Sequence, residues 1–118
     1  MITGTGVDIT EVRRLKQAVD KWGAEFLNRV FTEVELQNAK TRGSLHQHLA
    51  GRFAAKEAIF KAFGDPKLSW KDVQVLNDKE GKPYCQILNG RGRKVSVHIS
   101  ISHVKNYATA FAVVTEKT

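Results

Sequence analysis

The chain has 118 residues, 42% of them hydrophobic and 26% charged, which suits one compact domain with a core of its own. No apolar run nears the ~20 residues of a membrane span, no signal segment follows Met1-Ile2-Thr3, and the lone Cys85 lacks a partner for a disulfide or a CxxC zinc site. A cytoplasmic protein without membrane attachment is therefore expected, with Cys85 as a packing residue, and the net charge of +7 favours a polyanionic partner without choosing among nucleic acid, phosphate-rich cofactor, anionic lipid and acidic protein.

In chain order, Ile2 to Ile9 is short, β-branched and glycine-spaced, which predicts a strand with Asp8 near its exit. From Thr10 to Trp22 the apolar residues Val12, Leu15, Ala18, Val19 and Trp22 recur at helical spacing, with Thr10 as candidate N-cap. The other face of that helix carries Arg13, Arg14, Lys16 and Lys21. A short helical piece, AEFLNRVF, follows Gly23, and Thr32 with Glu35 forms a T-x-x-E capping-box signature opening TEVELQNAK. A long helix is expected over Leu45 to Phe63, closed by Gly64 in a left-handed cap and by Pro66 beyond it. SWKDVQVLN reads as a strand from Trp70, DKEGKP as a turn with Gly81 at positive φ, and YCQIL as the returning strand after Pro83. After the flexible basic connection NGRGRK, the runs VSVHISISH and YATAFAVVTE predict an antiparallel pair. One domain over 1–118 with an α+β architecture follows, an antiparallel sheet packed with one long and several shorter helices.

One carboxylate is out of place. At ~100° per residue, Glu57 falls ~40° from Phe53 and between it and Ala50, inside the apolar side of the long helix. A carboxylate buried there needs a partner. Lys61, four residues on, is placed for an ordinary ion pair. Asp8 offers a different reading, in which two carboxylates without sulfur or clustered histidine hold a hard cation, Mg²⁺ above all, with substrate phosphates completing its shell. Arg52, Lys56 and Lys61 on the same helix would add positive charge for such phosphates. Periodicity leaves both readings open.

His46 and His48 sit two apart and point to different helix faces, so they form no metal pair. His98 reads as a packed or surface histidine, and Trp22 and Trp70 as core anchors or interface contacts. A small basic nucleic-acid-binding module is the competing class, but the aromatic residues occupy apolar helix and strand positions rather than alternating with basic ones. A Mg²⁺-dependent nucleotide-binding or hydrolytic protein is a third reading.

The segments GTGVDITEVRR, LAGRFAAKEAIFKAFG and HISISHVKNYATAFAVV, together with the NDKEGKP turn, closely resemble the phosphopantetheinyl transferases of the holo-acyl-carrier-protein synthase type. The hallmarks stand as Gly6-Val7-Asp8 and as Phe53 to Lys61 (FAAKEAIFK), in the family's order over essentially the whole chain. The departures are in connections: DPKLS is short, and LNGRGRK replaces a longer helical segment.

The resemblance implies a 4′-phosphopantetheinyl transferase-like fold and transfer of 4′-phosphopantetheine from coenzyme A to a serine of an acyl carrier protein, releasing 3′,5′-ADP, in fatty acid or polyketide biosynthesis. By the same resemblance, Asp8 and Glu57 would hold Mg²⁺, and Glu57, directly or through a metal-bound water, would help deprotonate the serine. Lys61 would neutralise charge on the transferred group. Arg52, Lys56 and His103 would contact the coenzyme A phosphates, the 3′-phosphate in particular, with Gly81, Lys82 and Pro83 bordering the nucleotide. Arg13, Arg14 and Lys16 would meet the acidic carrier, and a homotrimer with active sites at subunit interfaces is expected. Neither nucleic acid nor membrane is an expected partner.

Overall fold

The structure, a computed structural model, describes residues 1–117. Strand β1 (Ile2–Glu11) leads into helices α1 (Val12–Trp22), α2 (Ala24–Val30), α3 (Glu33–Lys40) and α4 (Leu45–Phe63). A 3-10 turn over Trp70–Asp72 precedes β2 (Val73–Asn77), β3 (Pro83–Ile87), β4 (Val95–His103) and β5 (Tyr107–Glu116). β1, β5 and β4 form one antiparallel sheet in that order, and β2 pairs with β3 in a second. The α+β expectation is met.

Local chemistry sets most boundaries. Thr32 and Glu35 close their capping box, side chain to backbone in both directions. α4 runs over the predicted residues and ends at Gly64, whose φ of 66° only glycine adopts without strain. Two expectations are corrected. Thr10 does not cap α1: β1 continues through it to Glu11, and its hydroxyl donates instead to Asp8 Oδ2 at 2.9 Å. Trp70 does not begin a strand either, because Ser69 and Asp72 cap each other and wind the chain into a single 3-10 turn before Val73.

α4 is the central element. Ala54, Ala58, Ala62 and Ile59 bury against Ala110, Ala112 and Val114 of β5, while Leu49 and Ala50 face the cluster of Leu15, Val30, Phe31 and Ala39 from α1–α3. Buried residues surround most of α4, as expected of a helix wrapped on nearly all sides rather than one with a single apolar stripe. The close approach depends on glycine. A Cβ on Gly6 would lie 1.9 Å from the Ala58 carbonyl oxygen, and one on Gly4 would meet the Ala62 carbonyl at the same distance. The glycine spacing of β1 thus lets a strand lie directly on a helix backbone. Among the described residues no helix is long and apolar enough to cross a membrane.

Candidate functional site

Residues alternate along β1, so Gly4, Gly6, Asp8 and Thr10 face α4 while Thr5, Val7 and Ile9 face away. Gly6 touches α4 at Ala58; two residues on, Asp8 comes 3.5 Å from Lys61 and close enough to Glu57 to act on its charge. Both carboxylates line one cavity of about 480 Å³, with Arg14, Phe26, Phe53 and Tyr107 among its walls.

The electrostatics are those of two like charges with too little compensation. Burial pushes the Glu57 carboxyl above its usual range, Asp8 pushes it further the same way, and Lys61 draws it back in part. The simple Glu57–Lys61 pair weighed from the sequence does not form. Lys61 Nζ lies 3.5 Å from Asp8 Oδ1 and donates to the Val7 carbonyl at 2.9 Å. Asp8 and Lys61 thus hold one another, and Glu57 faces the cavity without a salt bridge among the described residues.

A second cavity, about 230 Å³, gathers Arg52, Gly81, Pro83 and His103. Arg52 is only 5% exposed and hydrogen-bonds Asn77 Oδ1, with no carboxylate pairing it among the described residues. Burial first, then Arg42, brings its pKa down to about 10, still a cation at neutral pH. Sequence reasoning missed the other polar residues of this cavity, Arg42, Gln47, His48 and Asn77. His48 stands four residues before Arg52 on α4, a local spacing that places both on one face, whereas Asn77 and His103 reach them only through the docking of the β2–β3 hairpin and the end of β4. Lys82 does not line it. It stays exposed on the turn, where its backbone N–H donates to Asp78 Oδ1.

Lys56 is the clear correction. Expected at the phosphates, it is 0% exposed and lies 2.6 Å from Glu35 Oε1, with further hydrogen bonds to the Val30 and Trp70 carbonyls at 2.7 and 3.0 Å. Three acceptors satisfy its three donors, so it clamps α4 to the ends of α2 and α3 and has no proton left for a ligand. Glu35 in turn accepts from Thr32 and Val75 backbone N–H groups. Arg13, Arg14 and Lys16 are all exposed on α1, and Arg14 alone also lines the carboxylate cavity.

Comparison with known proteins places this arrangement. A sequence model described as the 4′-phosphopantetheinyl transferase superfamily matches residues 4–112. A holo-[acyl-carrier-protein] synthase of Protochlamydia amoebophila is 48% identical, covering 96% of this chain and 98% of its own. One from Halothermothrix orenii is 43% identical over 96% of this chain and 97% of its own. Among solved structures, the Bacillus anthracis holo-(acyl-carrier-protein) synthase, in complex with CoA (3′,5′-ADP), superposes with a TM-score of 0.86 at 39% identity over 99% of each chain. The Neisseria meningitidis synthase superposes at 0.90 with 30% identity, covering 98% of this chain and all of that one (100%). The chain belongs to the 4′-phosphopantetheinyl transferase superfamily. Within it the chain is an enzyme of the holo-[acyl-carrier-protein] synthase type.

Proposed function

We propose that the chain transfers 4′-phosphopantetheine from coenzyme A to a serine hydroxyl of an apo acyl carrier protein, leaving adenosine 3′,5′-bisphosphate, and that it requires Mg²⁺. The observation that carries this reading is the convergence of Asp8 and Glu57 on one cavity. Their donors suit the ion: both are hard oxygens, the like-charge pair raises Glu57, and Lys61 supplies only partial relief. With two carboxylates, most of a magnesium shell stays free for water and substrate phosphate. When bound, Mg²⁺ would neutralise the coenzyme A diphosphate.

The chain's own residues do the rest. Glu57 takes the serine proton, directly or through one water. The serine oxygen bonds the phosphorus on the pantetheine side of the diphosphate, and the bond from that phosphorus to the oxygen of the nucleotide phosphate breaks. Lys61, fixed between Asp8 and the Val7 carbonyl, places its charge beside the transferred group. Arg52 and His103 hold the nucleotide phosphates, with Gly81 and Pro83 of the turn beside them. Arg13, Arg14 and Lys16 attract the acidic carrier, which speeds encounter.

The two cavities also support an oligomer. At ~100° per residue, the α4 residues of the carboxylate cavity (Phe53, Glu57) point about 170° from those of the other cavity (Gln47, His48, Gly51, Arg52). Facing opposite sides of one helix, the two cavities fit a scheme in which a second copy supplies the phosphate cavity to each carboxylate pair. The sheet face away from α4 offers a seam for it: Val7, Ile9 and Phe111 are 56%, 68% and 46% exposed. A homotrimer acting in the cytoplasm is the full reading.

The test mixes the protein with coenzyme A, Mg²⁺ and apo carrier and follows carrier mass. The expected gain of one phosphopantetheine is abolished by EDTA and by Glu57→Ala. Retention of nucleic acid with no gain on the carrier would favour the binding-module reading instead.

A further inference from the structure

The cavity around Arg52 contains an atom that the transfer reaction, as described so far, does not use. His48 Nε2 is buried and has no hydrogen-bond partner among the described residues. Asn38 Oδ1 shares that condition but lines no part of this cavity, whereas His48 does. A buried polar atom without a partner is destabilising, and a site retains one where a ligand completes it. The surroundings specify the ligand's sign. Arg52 on α4, Arg42 in the loop before α4 and His103 at the end of β4 face His48, Gln47 and Asn77 add neutral polar groups, and among the described residues no carboxylate lines the cavity. Burial first, then Arg52, Arg42 and His103, drives the His48 pKa down to about 4, so the imidazole is neutral at pH 7.

We propose that His48 Nε2 is a proton-linked contact to the phosphate monoester of coenzyme A, protonating as that dianion enters beside Arg52. The proposal rests on the assignment of this cavity to the nucleotide phosphates. The linkage has a definite sign. A dianion offsets the positive neighbours that hold His48 neutral, so its pKa is higher in the complex than in the free protein. Between those two values the complex binds the extra proton, and affinity rises as pH falls through the window. A diphosphate diester has already lost its protons at these pH values, whereas a monoester has a second pKa near ~6 and draws on the same range. The contact therefore distinguishes coenzyme A from its 3′-dephospho form, and does so more strongly in mildly acidic solution.

Titration calorimetry of the intact protein tests this, with coenzyme A and with dephospho-coenzyme A, in buffers of different ionisation heat near pH ~6. Wild type should take up on the order of half a proton more than His48→Gln with coenzyme A, and the difference should vanish with dephospho-coenzyme A. His48→Phe, which lacks any donor, should bind coenzyme A about tenfold more weakly. In turnover the loss should fall on KM for coenzyme A rather than on kcat, and it should persist in a His103→Gln background. Should His48→Phe fold poorly, His48→Gln still reads out the proton count. Equal proton uptake in wild type and His48→Gln overturns the proposal. Uptake that persists with dephospho-coenzyme A overturns the monoester assignment. Arg52→Gln separates the two levels. If it weakens coenzyme A while the His48 variants behave as wild type, only the His48 role falls. If it has no effect, the assignment of the cavity falls as well.

Discussion

Glu57 carries opposite demands in one side chain. Its folded pKa lies above the ordinary value because burial and Asp8 both oppose its charge. As pH rises through the window between those values, the unfolded chain gives up its proton first, so stability falls with rising pH. Above that window the ionised carboxylate strains the metal-free fold. Glu57→Gln should therefore melt at or above the wild-type temperature near neutral pH while losing transfer activity. A divalent ion at roughly a hundredfold excess over its Kd adds about 2.7 kcal/mol of stability to a protein that binds it. Added Mg²⁺ should thus raise the wild-type Tm and leave Glu57→Gln nearly unmoved. An equal Mg²⁺ shift in both proteins, or a variant melting several degrees lower, would remove Glu57 from the ion site. His48 has the converse sign: its folded pKa of about 4 lies below the ordinary 6.5, so it costs stability as pH falls through that interval.

Between elements, two contacts decide whether these residues meet. The first is Gly6 against the Ala58 carbonyl. Because a backbone oxygen cannot turn aside as a side chain can, Gly6→Ala should cost about 1–3 kcal/mol by overpacking and push β1 off α4, separating Asp8 from Glu57. Urea unfolding and Mg²⁺ titration should both show it, whereas Gly43→Ala, with open space around it, should show neither. The second is the buried Lys56–Glu35 pair. Lys56→Met strands the Glu35 carboxylate and should cost about 3–5 kcal/mol. Adding Glu35→Gln should recover part of that loss, and simple addition of the two effects within ~0.5 kcal/mol would show that the pair is not coupled.

These contacts also mark how far the sequence could be read. The Thr32–Glu35 box, the bounds of α4 and the Gly64 cap are local, and all were legible. The Ser69–Asp72 cap was equally local, yet Trp70 and the β-branched run after it favoured a strand and masked it. Lys56 was misassigned because its partner Glu35 lies on another helix, and a lysine beside a glutamate in sequence says nothing of which way each points. The glycines of β1 announced a strand, but the helix carbonyls that require them belong to residues more than fifty positions away. Asp8 and Glu57 were singled out by residue chemistry and by resemblance. Their shared cavity, and the approach of Asn77 and His103 to the His48–Arg52 face of α4, depend on tertiary docking.

For the molecule as a whole, the proposed assembly and activity stand together, since the carboxylates and the phosphate cavity look out from nearly opposite sides of α4. Phe111→Glu places a charge on the bare sheet face without touching either cavity. Light scattering should show the wild type as three copies and this variant as one, with transfer lost alongside the fold's retained circular dichroism. A monomeric variant of undiminished activity would refute the shared site.

β1 has two working sides, with Asp8 inward and Val7 and Ile9 outward in strict alternation. Under the proposed scheme, the ion and the neighbouring copy grip opposite surfaces of one ribbon only a residue apart. Any coupling between the two grips acts by an equal factor in each direction. A magnesium dependence of assembly would then imply a matching dependence of magnesium affinity on subunit concentration.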